Sequence, residues 1–464
     1  MTSTTTQSIG PTPRPSPTEP RSYHFPAFER RTLPNGMRLV VASVSKLPLV
    51  SIIATVDAGA SVEREGQDGV AALTAQLLLE GAAGLDGAAL TDRFEQIGTS
   101  VDAHADWDSA TVSLTVLADR LPAALALVRD LLRAPEFPER EVARLKDERL
   151  AELLQLRAEP RALADEQFSR AVYAPTARYA TLAGGSATSV RALTRDVVRS
   201  FYTERYRPST TTLVFAGDVS VDRAAELAHT LFGDWRGDAA AAIERAVDAS
   251  PMTRLTRVVA KADASQSEVR VGHVGLPRRH PDYFETTVMN AVLGGLFSSR
   301  INLNLREAHG YTYGAFSAFE WRRAAGPFMI QTAVKSDVTG AAVREILYEI
   351  ERMRSEEISN DELTLATSYL DGVFPIRYET TSAIATALSN LVIHDLPPRF
   401  YDDYRIRVRE VTTADVLRAA QRHLHPDRLR IVVVGDPVVI ATPLAEIHGA
   451  PVDTVTPDGT EVAA

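Results

Sequence analysis

The sequence predicts an α+β protein built from two homologous domains, each an antiparallel sheet with helices packed on one face. Three observations carry that expectation. Thr194, Pro208, Gly217 and Asp218 recur as Thr412, Pro426, Gly435 and Asp436, each 218 positions later. Within each copy an apolar strand stands between the proline and the glycine, residues 210–215 in the first and 429–434 in the second. A Gly- and Ala-rich stretch without periodicity, ending in Ser250-Pro251, separates the copies. A helix cap, a proline stop, a strand and a Gly-Asp turn at one constant offset mark a duplicated unit.

The elements follow in order. Leu33-Pro-Asn-Gly36 is a turn, and residues 37–43 form a short strand with β-branched character. Residues 49–58 read as a buried strand bounded by Gly59, and residues 69–80 as a helix, apolar on most sides, ended by Gly81. A helix at 88–97 precedes a hairpin of two alternating segments, 100–105 and 109–117, with its turn at Asp106–Asp108. Helices dominate from 119 to 173, interrupted by Pro135, Pro138 and Pro160. A capped helix at 194–206, the repeat strand and a helix at 221–232 close the first copy. The second copy restarts with a strand at 267–274, a helix near 282–293, a strand pair at 311–320 and 326–334, and then helices. The expected division is an N-terminal disordered arm at 1–27, a first domain at 28–235, a linker at 236–255, a second domain at 256–442 and a tail at 443–464.

Composition narrows the function. The 464 residues are 45% hydrophobic and 24% charged, as in globular proteins with ample core. A net charge of -10, with no basic cluster among aromatics, disfavours nucleic acid as a partner. Cysteine is absent, which excludes disulfides, thiolate zinc sites and cysteine nucleophiles together. The Thr-, Ser- and Pro-rich start lacks the apolar core of a secretory signal, and no stretch reaches the ~20 apolar residues of a membrane span. A cytoplasmic chain without membrane contact is the expectation.

Few side chains advertise chemistry. None of the ten histidines lies in His-Glu-x-x-His or His-x-x-Glu-His spacing. His423 and His425 read as a surface pair, and His104 with Asp106 and Asp108 as a solvated turn. Gly184-Gly185 and Gly294-Gly295 lack the Gly-Lys-Ser/Thr that would make a phosphate loop, and no Gly-x-Ser-x-Gly elbow is present. Glu148 and Glu152, four apart on a long helix among Arg and Lys, read as a solvated face. The exception is the segment 293–314. A flexible Gly294-Gly295 pair opens it, an amphipathic helical run with Leu303 and Leu305 follows, and Gly310 breaks that run. Arg306 near the helix end and Tyr313 at a strand start could meet in one cleft, donating hydrogen bonds to a peptide carbonyl or the oxyanion formed from it. A plain structural Arg–Tyr contact explains the pair equally simply.

These residues carry a resemblance. Val292-Leu-Gly-Gly-Leu-Phe-Ser-Ser-Arg-Ile301, followed by Leu305-Arg-Glu-Ala-His-Gly-Tyr-Thr-Tyr-Gly314, resembles the C-terminal signature of the insulinase/pitrilysin metallopeptidases, in their short, mitochondrial-processing-peptidase-like subgroup. Leu33-Pro-Asn-Gly-Met-Arg-Leu-Val40 is similar to the start of that family's first domain, and the likeness runs from about residue 28 to 440. Active members carry His-x-x-Glu-His on the first long helix, two histidines binding zinc and the glutamate activating water, with a later glutamate completing the site. The matching stretch here is Gly69-Val-Ala-Ala72-Leu-Thr-Ala75-Gln76. Alanine stands at the first ligand (Ala72) and the base (Ala75), glutamine at the second ligand (Gln76), and Glu152 about where the distal glutamate belongs. The family's Arg/Tyr pair, seven apart, matches Arg306 and Tyr313, beside Gly294 and Gly295 as substrate-binding positions.

The resemblance therefore implies half of a clamshell and a non-catalytic subunit with no metal or other cofactor of its own. It would pair with a zinc-bearing paralogous subunit, enclose a peptide substrate, and offer Arg306 and Tyr313 to the partner's zinc site in trans. A structural or peptide-binding homologue without a role in proteolysis is the other reading.

Overall fold

The computed structural model describes residues 22–237, 253–447 and 452–460. Most of the expected arm and linker, and parts of the expected tail, lie outside the described residues. Two six-stranded sheets dominate the molecule. The first runs, in spatial order, Glu29–Thr32, Arg38–Ser43, Thr211–Gly217, Leu49–Val56, Ala110–Leu117 and Asp102–Ala105. The second runs Ala315–Phe319, Pro327–Lys335, Gln266–Val274, Arg430–Gly435, Leu255–Ala260 and Val452–Val455.

The duplication is visible in the same slot of each sheet. Thr211–Gly217 inserts between the first two long strands of its half, parallel to Arg38–Ser43 and antiparallel to Leu49–Val56. Arg430–Gly435 does the same between Leu255–Ala260 and Gln266–Val274. The preceding helices are capped alike: Thr194 accepts a hydrogen bond from the Val197 amide and Thr412 from the Asp415 amide. The all-antiparallel expectation is thus corrected. The strand that returns through a helical crossover arrives in the same sense as the opening strand, and Val452–Val455 adds a further parallel ladder. That strand lies within the residues read as a tail.

A second correction concerns the helices, which cover both faces of each sheet. The helix Pro160–Val172, from the first half, packs on Arg430–Gly435 and Gln266–Val274 of the second sheet. Its counterpart Thr381–Ile393 packs on Leu49–Val56 and Thr211–Gly217 of the first, where Thr55 Oγ1 meets Ser389 Oγ at 2.7 Å. Strands buried on both faces lose the apolar–polar alternation that marks a half-solvated sheet. In Leu49–Val56 every residue after the first is buried.

Cations from the second half clamp the first. Arg323 donates from its guanidinium to Asp57 Oδ1 at 2.5 Å and from its backbone amide to Asp108 Oδ2 at 2.8 Å. Arg322 stacks over Trp107 at 4.4 Å and Tyr179 at 4.6 Å. Asp108, read as part of a solvated turn, is therefore buried (5% exposed) because it anchors the other half. Residues 22–27 are ordered as well, since Phe25 is buried and its ring stacks on Tyr401 at 4.7 Å.

Candidate functional site

Two cavities hold the residues that the sequence singled out. The first, about 200 Å³, opens beside the short helix Val70–Leu77. Ala72, Gln76 and Glu152 line it together, whereas Ala75 is fully buried in the core of the first half. Buried Glu63 holds the start of this helix, accepting from the amides of Gly69 (3.1 Å) and Ala71 (2.8 Å) and from Arg178 Nε (2.7 Å). Gly69, with φ +96°, also lets the helix start lie against Gly184, whose carbonyl oxygen a Cβ would meet at 2.7 Å.

Lys146 and Arg149, from the helix Glu139–Ala158, share this cavity. Arg149 donates to the Gly184 carbonyl at 3.2 Å and to Glu152 Oε2 at 3.1 Å, while Lys146 donates to the carbonyls of Arg191 (3.1 Å) and Leu193. The one carboxylate is thus paired, and two fixed cations face the space that a metal would need. Zinc sites require imidazole, thiolate or carboxylate donors converging at about 2.0–2.3 Å. A methyl group, an amide and a neutralised acid do not fit that requirement.

The second cavity, about 570 Å³, lies at the outer edge of the second sheet. Gly295, Phe297, Asn302, Tyr313 and Phe316 are among its walls. Its base is an ion network. Arg270, 1% exposed, donates to Asp165 at 2.6 Å, Glu268 at 2.9 Å and the Arg161 carbonyl at 3.2 Å. Around it the chain makes two π-helical turns, Ala291–Gly295 and Leu303–Ala308, a wound-wide geometry that recurs at functional sites. The expected amphipathic helical run with Leu303 and Leu305 takes the form of the second of these.

Tyr313 lines the cavity mouth, 96% exposed. Arg306 does not line it directly. Its guanidinium stacks 3.8 Å over the Phe297 ring and pairs with Glu307 at 2.9 Å. Phe297 therefore stands between Arg306 and the cavity that Tyr313 lines. The glycine pair divides: Gly295 lines the wall, while Gly294 is buried against Ser317, whose Oγ would stand 2.5 Å from an added Cβ. Gly294 is a close-packing residue and not a flexible one.

Sequence reasoning missed Asn302. Its side chain accepts from the Ala315 amide at 2.9 Å and donates to the Ala315 carbonyl at 2.6 Å, replacing a strand neighbour and fixing the turn that carries Tyr313. An Asn among apolar helical neighbours was the available signal. Glu148 remains a surface residue, bonded to Arg144 at 2.7 Å. His104 is exposed and bonded to Asp102 at 2.7 Å. His423, read as one of a surface pair, is instead buried, 6% exposed.

Residues 39–185 match the family described as insulinase (peptidase family M16), and residues 192–370 match the peptidase M16 inactive domain. The chain belongs to the insulinase, or M16, family. An uncharacterized zinc protease of Mycobacterium bovis is 26% identical over 431 residues, covering 91% of this chain and 96% of that protein. A non-peptidase homolog of Helicobacter pylori is 23% identical, covering 84% and 90%. Among solved structures, the peptidase M16 inactive domain from Pseudomonas fluorescens superposes with a TM-score of 0.83 at 25% identity, covering 89% of this chain and 99% of that one. M16 relatives thus include both named proteases and a named non-peptidase.

Proposed function

We propose that the chain is the non-catalytic subunit of a heterodimeric zinc peptidase, binding the peptide and supplying Arg306 and Tyr313 to a zinc-bearing paralogue. The observation that carries this reading is the contrast between the two cavities. The cavity at the family's zinc position is lined by Lys146 and Arg149 beside Ala72 and Gln76, whereas the second cavity keeps exposed aromatics in its walls, Tyr313, Phe297 (73%) and Phe316 (46%). Ala315–Phe319 has a strand neighbour on one side only, but Asn302 covers both outward backbone groups of Ala315 and Asn290 the Ser317 carbonyl, so a peptide would lodge at the cavity mouth and not along that edge. A phenol at that mouth, with a guanidinium behind Phe297, suits a carbonyl oxygen gaining negative charge.

The test is reconstitution with a paralogue that carries His-x-x-Glu-His. Arg306→Ala and Tyr313→Phe should each lower turnover of the mixed complex by about 10²–10³ while leaving its assembly constant within about threefold. Vigorous zinc-dependent cleavage by the lone chain would contradict the proposal. Unchanged turnover in both variants would favour the second reading, an inactive structural or peptide-binding homologue, which the printed name of the Helicobacter pylori relative supports.

A further inference from the structure

One histidine cluster lies apart from both cavities. His423 closes the helix Thr413–His423, and its Nε2 stands 2.7 Å from Asp282 Oδ2. Asp282 precedes the helix Tyr283–Asn290, which packs against Thr413–His423. Two residues upstream, the His280 ring meets that of His423 edge-on at 4.9 Å, and its Nδ1 accepts the Asp282 amide at 3.1 Å. One donor atom from each of the three residues lies within 4.8 Å of the others, and among the described residues no other such group of three occurs.

We propose that His280, Asp282 and His423 bind a divalent first-row transition ion of the zinc class. Two imidazoles and one carboxylate are a donor set such ions favour, with remaining positions open to water. Tetrahedral coordination at about 2.0–2.1 Å separates donors by roughly 3.3 Å. The His423–Asp282 pair therefore opens by about half an ångström and His280 closes in. The tautomer of His280 that accepts at Nδ1 keeps there the lone pair a metal needs, and the ion replaces the weak turn bond. Arg422 now contacts Asp282 Oδ2 at 2.9 Å, but its side chain is 68% exposed and free to swing into solvent as a stronger cation arrives. None of the three residues lines either cavity, and the ion would tie two helices together without touching substrate. This departs from the metal-free chain that the resemblance implies and does not depend on the heterodimer proposal.

The experiment is equilibrium dialysis of the tag-free, chelator-stripped full chain against zinc, with cobalt absorption as a second readout. The expected result is one zinc per chain with a dissociation constant below about 100 µM. His280→Ala and Asp282→Asn should each weaken it at least tenfold, while Glu152→Gln leaves it unchanged. His280 is half-buried at a helix start, so His280→Ala should keep the far-ultraviolet dichroism of the parent. Binding weaker than about 100 µM, affinity unchanged from the parent in either ligand variant, or loss of the ion in Glu152→Gln would each overturn the assignment.

Discussion

Gly294→Ala separates close packing from flexibility as the reason for a glycine beside the second cavity. Gly294 has no positive φ, so alanine faces no backbone penalty there. It faces atoms instead. The new Cβ would sit 2.5 Å from Ser317 Oγ, 2.8 Å from Ser317 Cβ and 2.9 Å from the Ser317 amide nitrogen. Rotating the Ser317 hydroxyl removes only the first contact and breaks its 2.8 Å bond to Asn290 Oδ1, worth about 1 kcal/mol. The other two contacts need Ser317 itself to move, and it is fully buried and held in register opposite Ile330. Overpacking of this kind costs about 1–3 kcal/mol, offset by up to about 1 kcal/mol from alanine's helix preference. The net expectation is a loss of about 2 kcal/mol. For a unit of roughly 200 residues that lowers the melting temperature by about 4–8 °C. Gly372→Ala is the control, because Gly372 lies within the helix Asn360–Arg377 with nothing within 4 Å of the added carbon. It should stabilise by about 0.5–1 kcal/mol. Thermal melts of the three proteins decide the matter. A Gly294→Ala protein melting with the parent, or shifting upward with Gly372→Ala, would refute the packing argument and restore a hinge.

Three further outcomes follow from the same geometry. His273 is 4% exposed, with Nδ1 donating to the Val274 carbonyl at 2.8 Å and Nε2 accepting the His425 amide at 3.2 Å, and burial holds its pKa down at about 4 against an ordinary 6.5. Between those values only the unfolded chain takes the proton, so stability is full above pH 6.5 and falls by about 3 kcal/mol as the pH drops to 4. Melts from pH 7 to 4 should show that loss in the parent and a smaller one in His273→Gln. Asp371, 2% exposed, receives Arg405 at 2.6 Å and Arg409 at 2.8 Å and joins the helix Asn360–Arg377 to Phe400–Glu410. Asp371→Asn removes the charge that neutralises this buried cluster and should cost about 3–5 kcal/mol, read from a urea or thermal transition. Finally, Ala72→His with Gln76→His should gain no zinc in the first cavity while Arg149 and Lys146 remain. Adding Arg149→Ala should permit binding, measured by dialysis in a His280→Ala background.

What the chain discloses in advance depends on how far apart its partners lie. The repeat was legible because its signals are local: Thr194 and Thr412 cap the helices that immediately follow them, and the Gly-Asp turns end their own strands. The first cavity was reached through the resemblance alone, because Ala72 and Gln76 carry no chemistry of their own and Glu152 reads like a solvated acid on a helix. The exchange of helices between halves was not legible. Thr55 meets Ser389 across 334 residues and Asp108 meets Arg323 across 215, and neither end carries a local pattern naming the other. The same holds for His423 and Asp282, 141 residues apart, where a buried imidazole in a helix's last turn reads like any surface histidine. Residues 293–314 fall between these cases. Their composition pointed to a site, but the reason is cooperative. Gly294 lets the first π-turn close against Ser317, and Asn302 then holds both backbone groups of Ala315. Tyr313 is left exposed as the consequence of those two contacts, so a substitution at Asn302 should disturb the opening as much as one at Tyr313 itself.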